Sequence, residues 1–301
     1  MTWVDQAIDA IDVRPPWGYA AGGSPATEPT ALCALALGAS ERTRNHAEAL
    51  RWLAGVQNPD GSLGIAVGRS APKWPTGWAL LAWQWARRPS PAGSPERSDF
   101  DGCIGSGLDW LVRSKGQTQA RMDWLGHDPT LIGWAWAEGT HSWVEPTAIQ
   151  LLALKAAGLD RHERARQAVE LLTDRLLPQG GCNYGNTTIR GRVLRPHVAP
   201  TGLALMALSG EKGLSGRVGL SLDYLASRVG EARSVISLCF GLLGLAAHGR
   251  TPSDADRCLA AAYEREVGGD VRPFHLALLA LASMGSGCPL IAPAREEGSR
   301  S

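Results

Sequence analysis

Trp143-Val144-Glu145-Pro146-Thr147-Ala148 leads without a break into the apolar run Ile149 to Gly158. The core of this stretch, Pro-Thr and a small residue ahead of a helix, recurs along the chain. Glu28-Pro29-Thr30-Ala31 opens the run to Gly38, Trp74-Pro75-Thr76-Gly77 the run to Ala86, and Ala199-Pro200-Thr201-Gly202 the run to Leu208. Arg272-Pro273-Phe274-His275 is a degenerate copy before Leu276 to Met284. Proline suits a first helical turn, because its missing N–H would have no intrahelical partner there. The residues that follow are apolar almost all round, so each helix is expected to be buried on most faces. A starter used repeatedly before buried helices predicts a helical repeat protein.

The spaces between these runs supply the other half of the pattern. Amphipathic segments at 1–11, 40–56, 103–114, 160–177, 214–228 and 253–267 alternate with the apolar ones, which are completed by 233–247. Ser40 and Ser253 are the expected N-caps of two of them. Six outer helices thus alternate with six inner ones, and no segment alternates at period two for long enough to demand a strand. Loops of very unequal length fall on one side, before the inner helices. An open solenoid would stack such pairs along a line; six pairs with nearly all-apolar inner helices fit better with a closed double ring. The predicted fold is all-α, an (α/α)6 toroid over residues 1–285, with a polar, frayed tail at 286–301. Residues 88–101 read as a surface loop. The inner-helix N-termini and their loops would then surround one end of a central cavity.

Composition excludes several functions. The chain has 301 residues, 44% hydrophobic and 20% charged, with a formal net charge of +1. That fits a globular protein, and no basic block offers a phosphate-binding surface for nucleic acid. No apolar run approaches the ~20 residues that span a bilayer. The amphipathic, acidic segment 1–12 does not read as a signal peptide. Six scattered cysteines without a CxxC pair read as reduced thiols, and the expected location is cytoplasmic, with peripheral membrane contact open. The aromatic content is unusual, with 12 Trp against 3 Phe and 4 Tyr.

Outer helix, Gln-x-x-x-Gly turn and inner helix together resemble the repeat of squalene and oxidosqualene cyclases and of protein prenyltransferase β subunits. The turns that carry the resemblance are Gln57-Asn58-Pro59-Asp60-Gly61-Ser62-Leu63 and the looser Gln179-Gly180-Gly181-Cys182-Asn183-Tyr184. The resemblance implies the toroid and an apolar isoprenoid ligand in its cavity. Those cyclases protonate their substrate from the central Asp of an Asp-x-Asp-Asp-Thr-Ala segment. Segment 143–148 is similar in register, with Glu145 at the proton donor's place and Trp143 and Pro146 at the flanking Asp positions. A helix N-terminus favours the ionised form, so Glu145 is equally read as a complement to the helix dipole, as Glu28 is. The prenyltransferases hold zinc with an Asp-x-Cys pair and a His. His275 resembles that His, but Asp256-Arg257-Cys258 falls on an outer helix, and Cys182, His197 and His275 are too scattered to predict a metal site. No cofactor or metal is expected.

The loop 124–143 holds four Trp, two His, Asp128 and Glu138 ahead of Glu145. Aromatic walls suit isoprenoid chains, whose cations they stabilise, and equally suit sugar rings. (α/α)6 toroids also include glycosidases, which need two carboxylates flanking the scissile bond; Asp128, Glu138 and Glu145 are the candidates. The loop can also be a packed plug, with Trp as bulk. The expected site is therefore Glu145 as catalytic acid, with Trp74, Trp78, Trp134, Trp136, His141, Trp143, His197 and His275 lining the substrate. Three functions remain open: an enzyme acting on a polyisoprenoid, a binding or scaffold toroid without catalysis, and a carbohydrate-active toroid.

Overall fold

Helices that are apolar on every face need neighbours on every face, and a ring of them inside a second ring supplies those neighbours. The computed structural model describes residues 1–88, 99–122 and 124–291, and it has this arrangement. The outer helices are α1 (Trp3–Ile11), α3 (Thr43–Gly55), α5 (Asp101–Arg113), α7 (Glu163–Arg175), α9 (Ser215–Arg228) and α11 (Ala255–Val267). The inner helices are α2 (Thr27–Ala39), α4 (Thr76–Ala86), α6 (Val144–Ala156), α8 (Val198–Leu208), α10 (Val235–Ala246) and α12 (Pro273–Ser283). α2 packs on α4, α4 on α6, α6 on α8, α8 on α10, α10 on α12, and α12 returns to α2. The ring is closed, as an (α/α)6 toroid requires. Outer helices cover its seams, α3 over α2 and α4, α7 over α6 and α8, α9 over α8 and α10. The only strands among the described residues are β1 (Thr188–Ile189) and β2 (Arg192–Val193), a short antiparallel hairpin before α8.

The Pro-Thr starters have a physical reason beyond proline's missing N–H. In four of them the threonine hydroxyl accepts a backbone N–H from the loop that precedes its helix. Trp17 donates to Thr30 at 3.2 Å, Leu63 to Thr76 at 2.9 Å, Trp134 to Thr147 at 3.0 Å and Cys182 to Thr201 at 2.9 Å. All four threonines are fully buried, so each bond satisfies a loop amide that has lost water. The starter therefore pins each long loop to the ring end.

The two Gln-Gly turns tie one hairpin to the next outer helix. Gln57 Nε2 donates to the carbonyls of Gly61 (2.8 Å) and Cys103 (2.9 Å), the latter in α5. Gly61 (φ 91°) and Gly180 (φ 93°) lie against the backbones of α5 and α9, where a β-carbon would stand 2.0 Å from the Ser106 oxygen and 2.3 Å from the Leu220 oxygen. Only glycine fits both the left-handed turn and that approach.

Three expectations are corrected. Ser40 closes α2 rather than capping α3, which starts behind Arg42, and α11 is preceded by Asp254 rather than Ser253. The tail expected from residue 286 is packed as far as Ile291, with Cys288, Leu290 and Ile291 buried in the same hydrophobic cluster as both rings. Residues 292–301, and 89–98 of the expected surface loop, lie outside the described residues. Among the described residues no helix is long and apolar enough to cross a membrane.

Candidate active site at the mouth of the ring

Glu28 and Glu145 occupy the same place in their helices, second residue of α2 and second residue of α6, with α4 between the two. At a solvated helix N-terminus both would ionise readily. Burial at the mouth outweighs that effect. Desolvation raises Glu28 to about 7, against the donated hydrogen bond of Tyr19, whose hydroxyl lies 2.7 Å from Glu28 Oε2. The Trp78 indole N–H faces the same carboxylate and opposes the rise, although it stands outside hydrogen-bond geometry. Desolvation also raises Glu145 to about 7, and the charge of Glu28 adds to the effect. No side chain among the described residues donates to the Glu145 carboxyl. Burial thus opposes the expectation that the helix N-terminus keeps Glu145 ionised, and the Glu28 charge adds to it.

The rest of the mouth is aromatic. Tyr19 sets its ring edge against Phe274 at 5.3 Å, and its own phenol is pushed upward by burial. Tyr184 and Cys182 both feel the Glu145 charge after the larger effect of burial, Cys182 rising to about 12. Tyr184 meets the His197 ring at 5.2 Å. Beneath them Trp78, at 0% exposure, stacks on Phe240 of α10. Two aromatic side chains thus stack across the ring axis at this level, where a central cavity is expected from the sequence.

The residues expected at the site are dispersed more than the sequence suggested. Trp143, half-buried, borders the mouth, with His141 tilted on it at 4.6 Å. Trp74 and Trp136 meet edge to face at 4.7 Å in the loops before α4 and α6. His197 is exposed at the rim. Trp78 supports the floor. Trp134 is packed away from solvent: it is 2% exposed, donates to Ser114 Oγ (2.9 Å), and has the Arg164 guanidinium 3.9 Å over its ring. His275 belongs to a structural pair, its Nδ1 2.9 Å from Oε2 of the buried Glu266 of α11. His275, His197 and Cys182 do not converge, and the described residues contain no group of three metal-ligating side chains.

The other two carboxylate candidates are engaged elsewhere. Asp128 is held well below the usual range by hydrogen bonds from Arg121 and Thr130. Glu138 pairs with Lys73 at 2.7 Å. Neither shares the mouth with Glu145, and Glu28 does. Its signal was in the sequence, since Glu28 and Glu145 carry the same Glu-Pro-Thr-Ala starter.

Two cavities flank the mouth. One, about 310 Å³, is bordered by Tyr184, His197, Tyr224 and Arg228. The other, about 410 Å³, lies between the loop before α6 and the β1–β2 hairpin, with His141 and Gly185 in its wall.

The chain matches no protein-family model. No curated protein matches it. Its likeness to solved structures is one of fold. Rex8A of Paenibacillus barcinonensis, determined as a mutant complexed with xylose, superposes with a TM-score of 0.60 at 10% identity, over 97% of this chain and 93% of that one. A cold-adapted family 8 xylanase in complex with substrate gives 0.55 at 12% identity, over 96% and 91%. A protein from Actinoplanes gives 0.52 at 17% identity, over 88% and 79%. The toroid fold is thereby supported, and the cyclase and prenyltransferase family is not specifically.

Proposed function

We propose that the protein is a carbohydrate-active toroid that hydrolyses glycosidic bonds at the mouth of its ring. The observation that carries this reading is the pair Glu28 and Glu145, two carboxyls in one aromatic mouth with acidities moved to about 7. Glycoside hydrolysis needs one carboxyl protonated and one ionised at the same pH, and two neighbouring carboxyls raised to about 7 are both partly protonated near neutral pH. Glu145, with no side-chain donor to its oxygens among the described residues, is the proton donor to the leaving oxygen. Glu28, whose ionised form Tyr19 stabilises, is the base or nucleophile. Trp143, Tyr184 and Tyr19 offer ring faces on which sugar rings stack. The isoprenoid reading is less well supported, because Trp78 and Phe240 fill the axis where a long apolar chain would lie.

The test is release of reducing ends from xylo- and cello-oligosaccharides by the wild type, Glu145→Gln and Glu28→Gln. Turnover by the wild type with loss of at least about a hundredfold in each variant is expected, as for removal of an acid or base. Turnover that survives both substitutions overturns the reading, as does inactivity of the wild type on every oligosaccharide.

A further inference from the structure

The 410 Å³ cavity beside the mouth has a charge character that the Glu pair does not explain. Its described lining contains two arginines and two histidines and no carboxylate. Arg175, from the last turn of α7, borders it while only 4% exposed. Its Nη1 pairs with Asp174 and both terminal nitrogens donate to the Asp128 carbonyl at 3.3 Å, but its buried Nε–H has no partner. Arg190, at the tip of the hairpin, pairs with no carboxylate among the described residues. His127 is kept neutral, lowered to about 4 by burial and by the Arg175 charge. The Thr187 N–H approaches its Nδ1 at 3.5 Å, which leaves Nε2–H as a donor.

Asp174 offsets Arg175, so among the described lining residues one positive charge, that of Arg190, is uncompensated, beside a surplus of donors. That balance fits a carboxylate better than a doubly charged phosphate. The lining also has an apolar part, Trp124, Met122, Leu125 and Ile189. They suit the faces of a ring, and the volume lies in the range of small-molecule sites. The cavity also adjoins the mouth: Gly185 and His141 line it, and Trp143 lies against both, so close to Gly185 that a β-carbon there would meet its ring at 2.9 Å.

We propose that this cavity is a subsite for a uronate, the carboxylate-bearing sugar unit of an acidic oligosaccharide, held by Arg190, Arg175 and His127. The choice of a sugar over another ring-borne carboxylate rests on the saccharide reading of the adjoining mouth.

Titration calorimetry with D-glucuronate, D-glucose, D-xylose and benzoate, on wild type and on the Arg190→Asn and Arg175→Gln variants, tests it. Asparagine tolerates the left-handed backbone at residue 190 (φ 49°), and the hairpin tip is exposed, so Arg190→Asn should keep the fold even if Arg175→Gln does not. Glucuronate is expected to bind about tenfold or more tightly than either neutral sugar, and to lose that margin in Arg190→Asn, as removal of a charged hydrogen-bond partner implies. Equal binding of acidic and neutral sugars, or no loss in Arg190→Asn, overturns the subsite. Benzoate binding as tightly as glucuronate overturns its assignment to a sugar. Pairing this titration with the oligosaccharide cleavage assay on the wild type separates the two readings. Arg190-dependent glucuronate binding in a protein that cleaves no oligosaccharide keeps the subsite and removes the hydrolase. Cleavage without glucuronate binding does the reverse.

Discussion

Trp78 of α4 and Phe240 of α10 stack across the middle of the ring, centroids 6.1 Å apart and planes 10° from parallel. Their helices stand opposite one another in the inner ring, so this contact joins two halves that share no helix–helix seam. Trp78→Ala is expected to cost about 3–5 kcal/mol in urea unfolding, the range for emptying a buried aromatic site. A cost below about 1 kcal/mol would mean that the axis collapses freely and that the stack is not a support.

The Glu pair predicts an unusual pH dependence of stability. Both groups bind a proton more tightly folded, at about 7, than at their ordinary value of 4.5. The folded state therefore holds more protons between those values, and stability falls as pH rises from 4.5 to 7. The fall should be on the order of 2 kcal/mol per group. In the double variant Glu28→Gln, Glu145→Gln the decline should be largely absent, and above pH 7 this variant should melt higher than the wild type. Parallel melting curves against pH for the two proteins would refute the shift. A dipole complement predicts the opposite sign, a loss of about 0.3–1 kcal/mol on neutralising either residue.

Gly202 allows α8 and α10 to touch through their backbones, since a β-carbon there would lie 2.1 Å from the Phe240 oxygen. Gly202→Ala should destabilise by at least about 1–3 kcal/mol, the usual cost of overpacking, because the obstacle is backbone rather than a movable side chain. Gly216→Ala on the exposed side of α9, where nothing lies within 4 Å, is the control and should be neutral or slightly stabilising.

His275 and Glu266 form a buried charge-bearing pair, with Glu266 Oε1 also accepting the Arg272 N–H at 2.9 Å. Removing the imidazole, as in His275→Leu, should cost about 1–3 kcal/mol, because Glu266 loses one hydrogen bond but keeps the Arg272 N–H and has the Arg272 guanidinium at 4.0 Å. Chelator treatment is expected to leave the melting temperature of the wild type unchanged. A zinc-dependent melting temperature would assign His275 the ligand role that the prenyltransferase resemblance implies.

The alternation of helices was legible in the sequence because period and punctuation agreed. All-apolar runs behind Pro-Thr starters could only be an inner layer, and each helix lies within about three residues of its expected bounds. The place of Glu145 at an inner-helix start was legible for the same reason. That Glu28 lies near it was harder to read despite their shared starter, because the two are 117 positions apart and meet only through ring closure. The packing of Trp134 was also hidden: its partners Ser114 and Arg164 lie on either side of a long loop whose path no local pattern specifies. The engagement of Asp128 was hidden in the same way, since Arg121 neutralises it from within that loop.

The first and last helices of the ring set an order on how it can be made. α12 fills the gap between α10 and α2, and α1 packs on α12, with the Trp3 indole donating to Asp256 at 3.3 Å and the Tyr263 hydroxyl to Gln6 at 3.2 Å. One apolar flank of α2 therefore stays uncovered until the ribosome has delivered residues some 250 positions later. The nascent chain is an open arc with two sticky ends, and the closing contacts carry the largest loop entropy in the molecule. Such an arc can close on itself or on the end of a second arc, so crowding of nascent chains favours swapped dimers over rings.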